Sequence, residues 1–164
     1  MICPDCKKEE MVKGTETIRY EESGLPNVVL KDIPLRRCAN CGNQLVSIPN
    51  LAGLHRCIAV ALVNKPERLT PLEIGFLRKS LGWSKADFAR KLHVRPEQVS
   101  RWESSKAPVP MQVQSELLLR SLVAMGQKID DYKDHMEELA SKTATEPSIV
   151  SLGYDDAGWH KLAA

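Results

Sequence analysis

The sequence predicts an α+β protein in two parts: a small β unit held through four cysteines, followed by an all-α unit. Three observations carry this. Two C-x-x-C pairs, Cys3/Cys6 and Cys38/Cys41, bracket a stretch rich in strand formers. From residue 51 onward, apolar side chains recur at helical three- and four-residue spacing. Helix-start signals, hydroxyl residues followed three positions later by an acid, punctuate the region from Thr70 to Trp102.

Composition bounds the reading. The 164 residues suit one or two small domains. Hydrophobic content of 43% and charged content of 27% fit a soluble globular chain. Aromatics are only 5%, so the core must rest on Leu, Ile, Val and Ala. No basic segment followed by an apolar stretch opens the chain, so no signal peptide is expected. The longest apolar run, Cys57 to Val63, falls far short of the roughly 20 residues that cross a bilayer, so no membrane span is expected. A cytoplasmic protein is expected, and in a reducing compartment paired cysteines are more often metal ligands than disulfides. The net charge is +2, unevenly spread: residues 66–110 carry 9 basic and 5 acidic side chains, and residues 111–164 carry 5 and 9. A localised positive field in the middle of a chain suits a nucleic-acid partner.

In residues 1–49, each C-x-x-C turn points two sulfurs the same way. Two such turns supply the soft tetrahedral set that zinc prefers. Gly42, after the second thiol of its pair, suits a backbone that turns back with positive φ. The spacer is longer than the usual 15–20 residues. A β-hairpin would fill it, with strands in Thr15–Glu22 and Asn27–Leu35 and a turn at Ser23–Pro26. So short a segment buries too little surface to fold comfortably alone. A structural zinc supplies on the order of 10–16 kcal/mol of apparent binding energy as folding energy. Structural Zn2+ on Cys3, Cys6, Cys38 and Cys41 is therefore expected; free thiols or a disulfide pair are the alternative. Four thiolates leave no open position for a catalytic water. Cys57 reads as a small buried hydrophobe, and His55 is not needed as a ligand.

Residues 50–65 form a linking helix. Apolar residues at 51, 54, 58, 61 and 62 have helical spacing, Asn50 caps the start, and Pro66 follows the end. In residues 66–126, Thr70-Pro71-Leu72-Glu73 combines a cap, a first-turn proline and a capping-box acid. That helix runs to about Leu81, burying Ile74, Leu77 and Leu81, and Gly82 stops it. Ser84 restarts a helix with Asp87 as a short capping-box acid; Ala86, Ala89 and Leu92 are expected inward with Phe88 beside them. His93-Val94 makes a turn, Pro96 opens a third helix, and Val99 and Trp102 point back to the core. Glu97, Gln98, Ser100 and Arg101 are left outside. Met111–Met125 reads as an apolar helix with Val113, Leu117, Leu118, Leu122 and Met125 on one broad face, part closing the unit and the remainder either a dimer surface or, as the alternative, the rest of a plain core helix. In residues 127–164, an acidic helix to about Ser141 and a mobile tail of little periodicity are expected; docking of the tail on its own body or on a partner is the other reading.

The stretch Leu81–Lys106 is helix-turn-helix geometry and resembles the Xre/Cro-type repressor domain. The resemblance rests on Leu81-Gly82, Ser84-x-x-x-Phe88-Ala89, Val94 and Val99-Ser100-Arg101-Trp102-Glu103, and departs at His93 and Ser105, where glycine is common. It implies an all-α Xre-type domain that binds double-stranded DNA as a homodimer, with the third helix in the major groove. It also implies phosphate contacts at Ser84 and Lys85 and base reading at Glu97 and Arg101, with Arg95 and Gln98 as secondary candidates. The chemistry agrees: arginine donates twice to guanine and glutamate accepts from cytosine N4. A solvated helix face is the alternative for any one of them. A four-cysteine, zinc-ribbon-like unit ahead of such a domain further resembles the MqsA/YgiT-type antitoxin family. That resemblance implies a transcriptional repressor whose zinc unit holds a toxin protein. A stand-alone regulator with no toxin partner is the second reading. An enzyme using the thiols is the third, and no Ser/His/Asp or paired-carboxylate arrangement supports it.

Overall fold

A computed structural model describes residues 1–127 and 149–163. The chain runs β1 (Met11–Arg19), β2 (Val28–Cys38), β3 (Gln44–Val46), α1 (Leu51–Val63), α2 (Pro71–Ser80), α3 (Lys85–Lys91), α4 (Pro96–Trp102), α5 (Val113–Gln127), β4 (Val150–Asp155) and β5 (Gly158–Lys161). The architecture is the expected α+β one, a sheet bearing the cysteines and then helices. The helix expected beyond Gln127 lies outside the described residues. Among the described residues no helix is long and apolar enough to cross a membrane.

The expected hairpin is present and longer than read. β1 lies antiparallel on β2 from Met11 opposite Cys38 to Arg19 opposite Val29. Its end is a single 3-10 turn at Glu21–Ser23, closed by Gly24 at φ 77°. The other edge of β2 takes two partners. β3 pairs antiparallel with Leu35–Arg37, and β4 pairs parallel with Val28–Leu30. β5 then pairs antiparallel with β4.

The reading of residues beyond Lys142 as an irregular tail is corrected for 150–161, which form β4 and β5 and dock on the chain's own sheet. Val150, Leu152 and Tyr154 alternate as a strand requires, and Gly158 turns at φ 107°. A two-stranded hairpin is only marginally stable alone in water. It persists here because β2 offers an open edge and Leu152 enters the core, fully buried. That edge comes from sequence more than a hundred residues away, which is why local reading passed over it.

One core joins sheet and helices. Tyr20, Val28, Leu30 and Ile33 from the hairpin meet Leu54, Ile58 and Leu62 of α1, Leu77 of α2, Phe88 of α3, Trp102 of α4, Leu119 and Val123 of α5 and Leu152 of β4. α1 buries Leu54, Ile58, Ala59, Ala61, Leu62 and Val63 because neighbours cover it on more than one side. The other expected elements begin as read. Asn50 accepts from Gly53 N at 3.0 Å, and capping boxes close at Thr70/Glu73 and Ser84/Asp87.

Two inward faces differ from expectation. Ala86 is exposed, and Phe88 and Ala89 fill its place. In α5 the buried face is Glu116, Leu119, Arg120, Val123 and Ala124, while Leu118 and Met125 are exposed. Pattern reading missed this because two charged residues lie on the buried stripe. The Arg120 guanidinium, with 0% exposure, donates to Val63 O at 3.0 Å, Lys65 O at 2.7 Å and Glu67 O at 2.6 Å. It also bonds Glu116 Oε1 at 2.9 Å. Glu116 in turn accepts from Arg68 Nε at 2.6 Å and Leu69 N at 3.0 Å. Lys65 is bound to both carboxylate oxygens of Glu73, at 3.1 and 2.9 Å. The connection from α1 to α2 is thus stapled to α5 and α2 by buried charge.

Breaking a buried charge network by removing one partner is far costlier than never having it. Arg120→Met should therefore lower unfolding free energy by about 3–5 kcal/mol. Urea denaturation followed by circular dichroism checks this. A loss under 1 kcal/mol would show that the staple is dispensable.

Candidate metal centre and nucleic-acid interface

The metal centre is built by chain reversal. The N-terminal strand of residues folds back along β1, with Met11 N donating to Met1 O and Cys3 N to Glu9 O, both at 2.9 Å. The register that sets Met11 opposite Cys38 brings the two cysteine pairs together. Each pair sits in the same kind of turn. Lys7 N donates to Cys3 O and Gly42 N to Cys38 O, both at 3.0 Å. The residue after each second cysteine is left-handed, Lys7 at φ 54° and Gly42 at φ 73°. Gly42 was legible from its position; Lys7, a non-glycine in the same conformation, was not.

The four sulfurs lie within 4.8 Å of one another, with Cys3 to Cys41 and Cys6 to Cys38 at 3.6 Å. A tetrahedron with about 2.3 Å metal–sulfur bonds has edges of about 3.8 Å. The four cysteines are therefore positioned to bind a metal ion. His55 is elsewhere, 3.0 Å from the Tyr20 hydroxyl, and Cys57 is half-buried against the core.

Local electrostatics favour thiolates at part of the set. The backbone N–H of Cys6 leads in lowering Cys3. The backbone N–H of Lys8 and the Asn40 side chain bring Cys6 down to about 6. At Cys41 the Asn43 N–H pulls down, but burial and the three neighbouring thiols leave it pushed up to about 12. Four sulfurs so close cannot all ionise by themselves; a divalent cation bound among them would supply the missing compensation.

The second candidate site is the α3–α4 pair. Two helix ends shape it in the same way. Gly82 is left-handed at φ 72°, with Gly82 N bonded to Lys79 O at 2.9 Å and Trp83 N to Arg78 O at 3.3 Å. His93 repeats this at φ 53°, with His93 N to Arg90 O at 3.2 Å and Val94 N to Ala89 O at 3.0 Å. Both are Schellman caps, and the second accepts histidine where glycine costs least.

α4 is anchored by Val99 and Trp102, both fully buried, with Phe88 packed edge-on to Trp102. Glu97, Ser100, Arg101 and Arg95 are exposed and Gln98 is half-buried. Ser84 is exposed, but its hydroxyl is engaged in the cap, 2.6 Å from Asp87 Oδ2 and accepting from Asp87 N at 3.0 Å. The Ser84 hydroxyl, its backbone N–H and Arg90 together hold the Asp87 carboxyl below the ordinary carboxylate range. Lys85 reaches back to Glu103, 3.7 Å from Oε2.

Sequence reading missed what fixes α4 in place. Arg78 donates to both oxygens of Glu103, Nε at 2.6 Å and Nη2 at 3.0 Å, and its Nη1 bonds Trp83 O at 2.6 Å. One guanidinium thus clamps α2, the α2–α3 turn and the end of α4. The signal was present, an arginine in the last turn of α2 and a glutamate just after Trp102, but nothing local pairs residues 25 positions apart.

A helix-turn-helix family (HTH_3) matches residues 74–113, which hold most of α2 and all of α3 and α4. No curated protein matches the chain. The family match and the geometry support a DNA-binding transcription regulator.

Two outcomes follow from this geometry. Co2+ added to the reduced, metal-free protein should bind one ion per chain with the absorption of a tetrahedral tetrathiolate; replacing Cys6 or Cys38 by Ser should abolish that spectrum, whereas Cys57→Ser should not. His93→Gly should raise stability by about 0.5–1 kcal/mol, because left-handed strain of about 1–2 kcal/mol is relieved and part is returned as glycine's chain entropy. A thermal melt reads that shift, and a fall would show that the His93 side chain carries contacts worth more than the strain.

Proposed function

We propose that the chain is a sequence-specific repressor that binds operator DNA as a homodimer and acts as an antitoxin, holding a toxin protein on its zinc unit and repressing its own operon. The observation that carries the DNA reading is the rigidly braced α4, which offers Arg101, Glu97 and Arg95 to solvent from a scaffold locked by Arg78 and Glu103. In this reading Arg101 and Glu97 read base edges, and Gln98 and Arg95 flank them. Ser84 and Lys85 meet phosphate at the start of α3, where both the hydroxyl and the N–H of Ser84 are donated to Asp87 and would have to exchange that carboxylate for the phosphate. A cytoplasmic, non-enzymatic role agrees with the absence of any acid–base constellation in the sequence reading.

The proposed metal is zinc, on Cys3, Cys6, Cys38 and Cys41. Four soft sulfurs at tetrahedral spacing favour it, and the closed shell makes its part structural. The antitoxin reading is supported by the resemblance to MqsA/YgiT-type proteins in the order of the two parts, cysteine unit first and helix-turn-helix second. A stand-alone regulator is the second reading. It is favoured by one observation: the sheet shares a continuous core with the helices, so the metal unit has a structural use without any partner.

Two experiments test this. Fluorescence anisotropy against the DNA upstream of the protein's own reading frame should give salt-dependent, specific binding. Arg101→Ala should weaken it by 1–3 kcal/mol, roughly 5- to 150-fold, while leaving the fold intact. Unchanged affinity at moderate salt would refute the base-reading role. Co-expression with the adjacent reading frame should rescue growth and yield a co-purifying complex; a regulator that binds DNA normally but rescues nothing would leave the stand-alone reading in its place.

A further inference from the structure

The C-terminal hairpin leaves a groove between β5 and α1, about 490 Å3 in volume, on neither the metal centre nor the α4 face. Its two walls have different chemistry. One is formed by five consecutive residues, Ala157–Lys161. The other is a stripe of small and apolar residues along α1, including Gly53, Cys57, Val60 and Ala61.

Among the described residues the strand wall presents a free edge. Leu162 N donates to Ser151 O at 2.9 Å, which fixes the phase of the β4–β5 ladder. Hydrogen-bonded pairs alternate with unbonded ones in an antiparallel ladder, so Trp159 and Lys161 turn their N–H and C=O away from β4. The wall is also held firmly: Trp159 Nε1 donates to Pro49 O at 2.9 Å, and its ring lies against Tyr154 at 5.3 Å. Charge sets the sign of the occupant. Among the described residues Arg56 and Lys161 line the groove without an ion-pair partner, His160 lies 3.6 Å from Asp155 Oδ2, and no acid is among those lining the groove, Asp155 and Asp156 standing in the adjoining turn. A cationic edge repels a second copy of itself and favours an anionic strand.

We propose that this groove is a strand-addition site for an extended acidic peptide of a partner protein, which pairs its backbone with Trp159 and Lys161, sets its acids against Arg56 and Lys161, and lays its apolar side chains on α1. Strand addition takes affinity from main-chain bonds and specificity from alternate side chains. The site is separate from the DNA and metal readings, so a variant that loses it should keep both.

The probe is a capped heptapeptide alternating glutamate with valine, titrated into the full-length, metal-loaded protein by NMR and by anisotropy of a labelled copy. Shifts should centre on the amides of Trp159 and Lys161. Arg56→Glu and Lys161→Glu should each weaken binding about tenfold or more without changing DNA affinity. A peptide N-methylated at alternate residues should likewise lose about tenfold or more, because it cannot pair with the edge. Equal binding of the N-methylated peptide, or indifference to both charge reversals, would overturn the proposal. So would binding that appears only after Asp130, Asp131, Asp134, Glu137 and Glu138 are neutralised, since the occupant would then be the chain itself.

Discussion

A guanidinium sealed from water sets the terms for the whole molecule. Arg120 is buried at the cost of acceptors for its two terminal nitrogens, and it finds them on three carbonyls of the connection between α1 and α2 and on Glu116, while its Nε has no partner among the described residues. Those carbonyls end a helix and begin a linker, so they would otherwise be left facing the interior unpaired. Arginine and linker thus satisfy each other, and neither can move without stranding the other. The result is that α1, which is covered by the sheet, and α5, which is covered by the helix-turn-helix, share one register. Lys65 and Glu73 repeat the arrangement one turn further on. Polar burial here joins units that a purely apolar seam would leave free to slide.

A second fixed guanidinium works at the other end of the helical unit. Arg78 ties the end of α4 to α2 through Glu103 and takes the carbonyl of Trp83 as well. In the proposed reading, base recognition by α4 would demand that side-chain tips be held to within a fraction of a turn, and a seven-residue helix has little inherent rigidity of its own. Bracing from behind supplies it, and leaves the outward residues free for a ligand.

What the sequence made legible was local. The capping boxes at Thr70 and Ser84, the Asn50 cap, the stop at Gly82 and the inward Val99 and Trp102 all follow from short-range chemistry, and all are found. The cysteine cluster was legible because thiol spacing has few other uses. What was not legible was pairing at a distance. The Arg78–Glu103 clamp, the Arg120 staple and the seating of β4 on β2 each join residues whose neighbours in sequence give no hint of the partner. The buried face of α5 was misjudged for the same reason: Glu116 and Arg120 look like surface residues until the acceptors are in view. The DNA-facing assignments at Ser84, Lys85, Arg95, Glu97, Gln98 and Arg101 came through resemblance rather than through physics alone, and their exposure agrees with them only in part, since the Ser84 hydroxyl is already occupied.

The parallel pairing of β4 with β2 has a consequence for how the molecule is made. Val28–Leu30 wait for Val150–Leu152, with α1 to α5 synthesised in between. On the ribosome the hairpin can gather its cysteines early, yet part of one edge of it stays open until β4 has been made. For that interval the nascent protein exposes backbone that pairs with any strand at hand. Prompt capture of metal by the cysteines would steady the waiting strands, and the emergence of Val150–Leu152 would act as the seal that ends the vulnerable period.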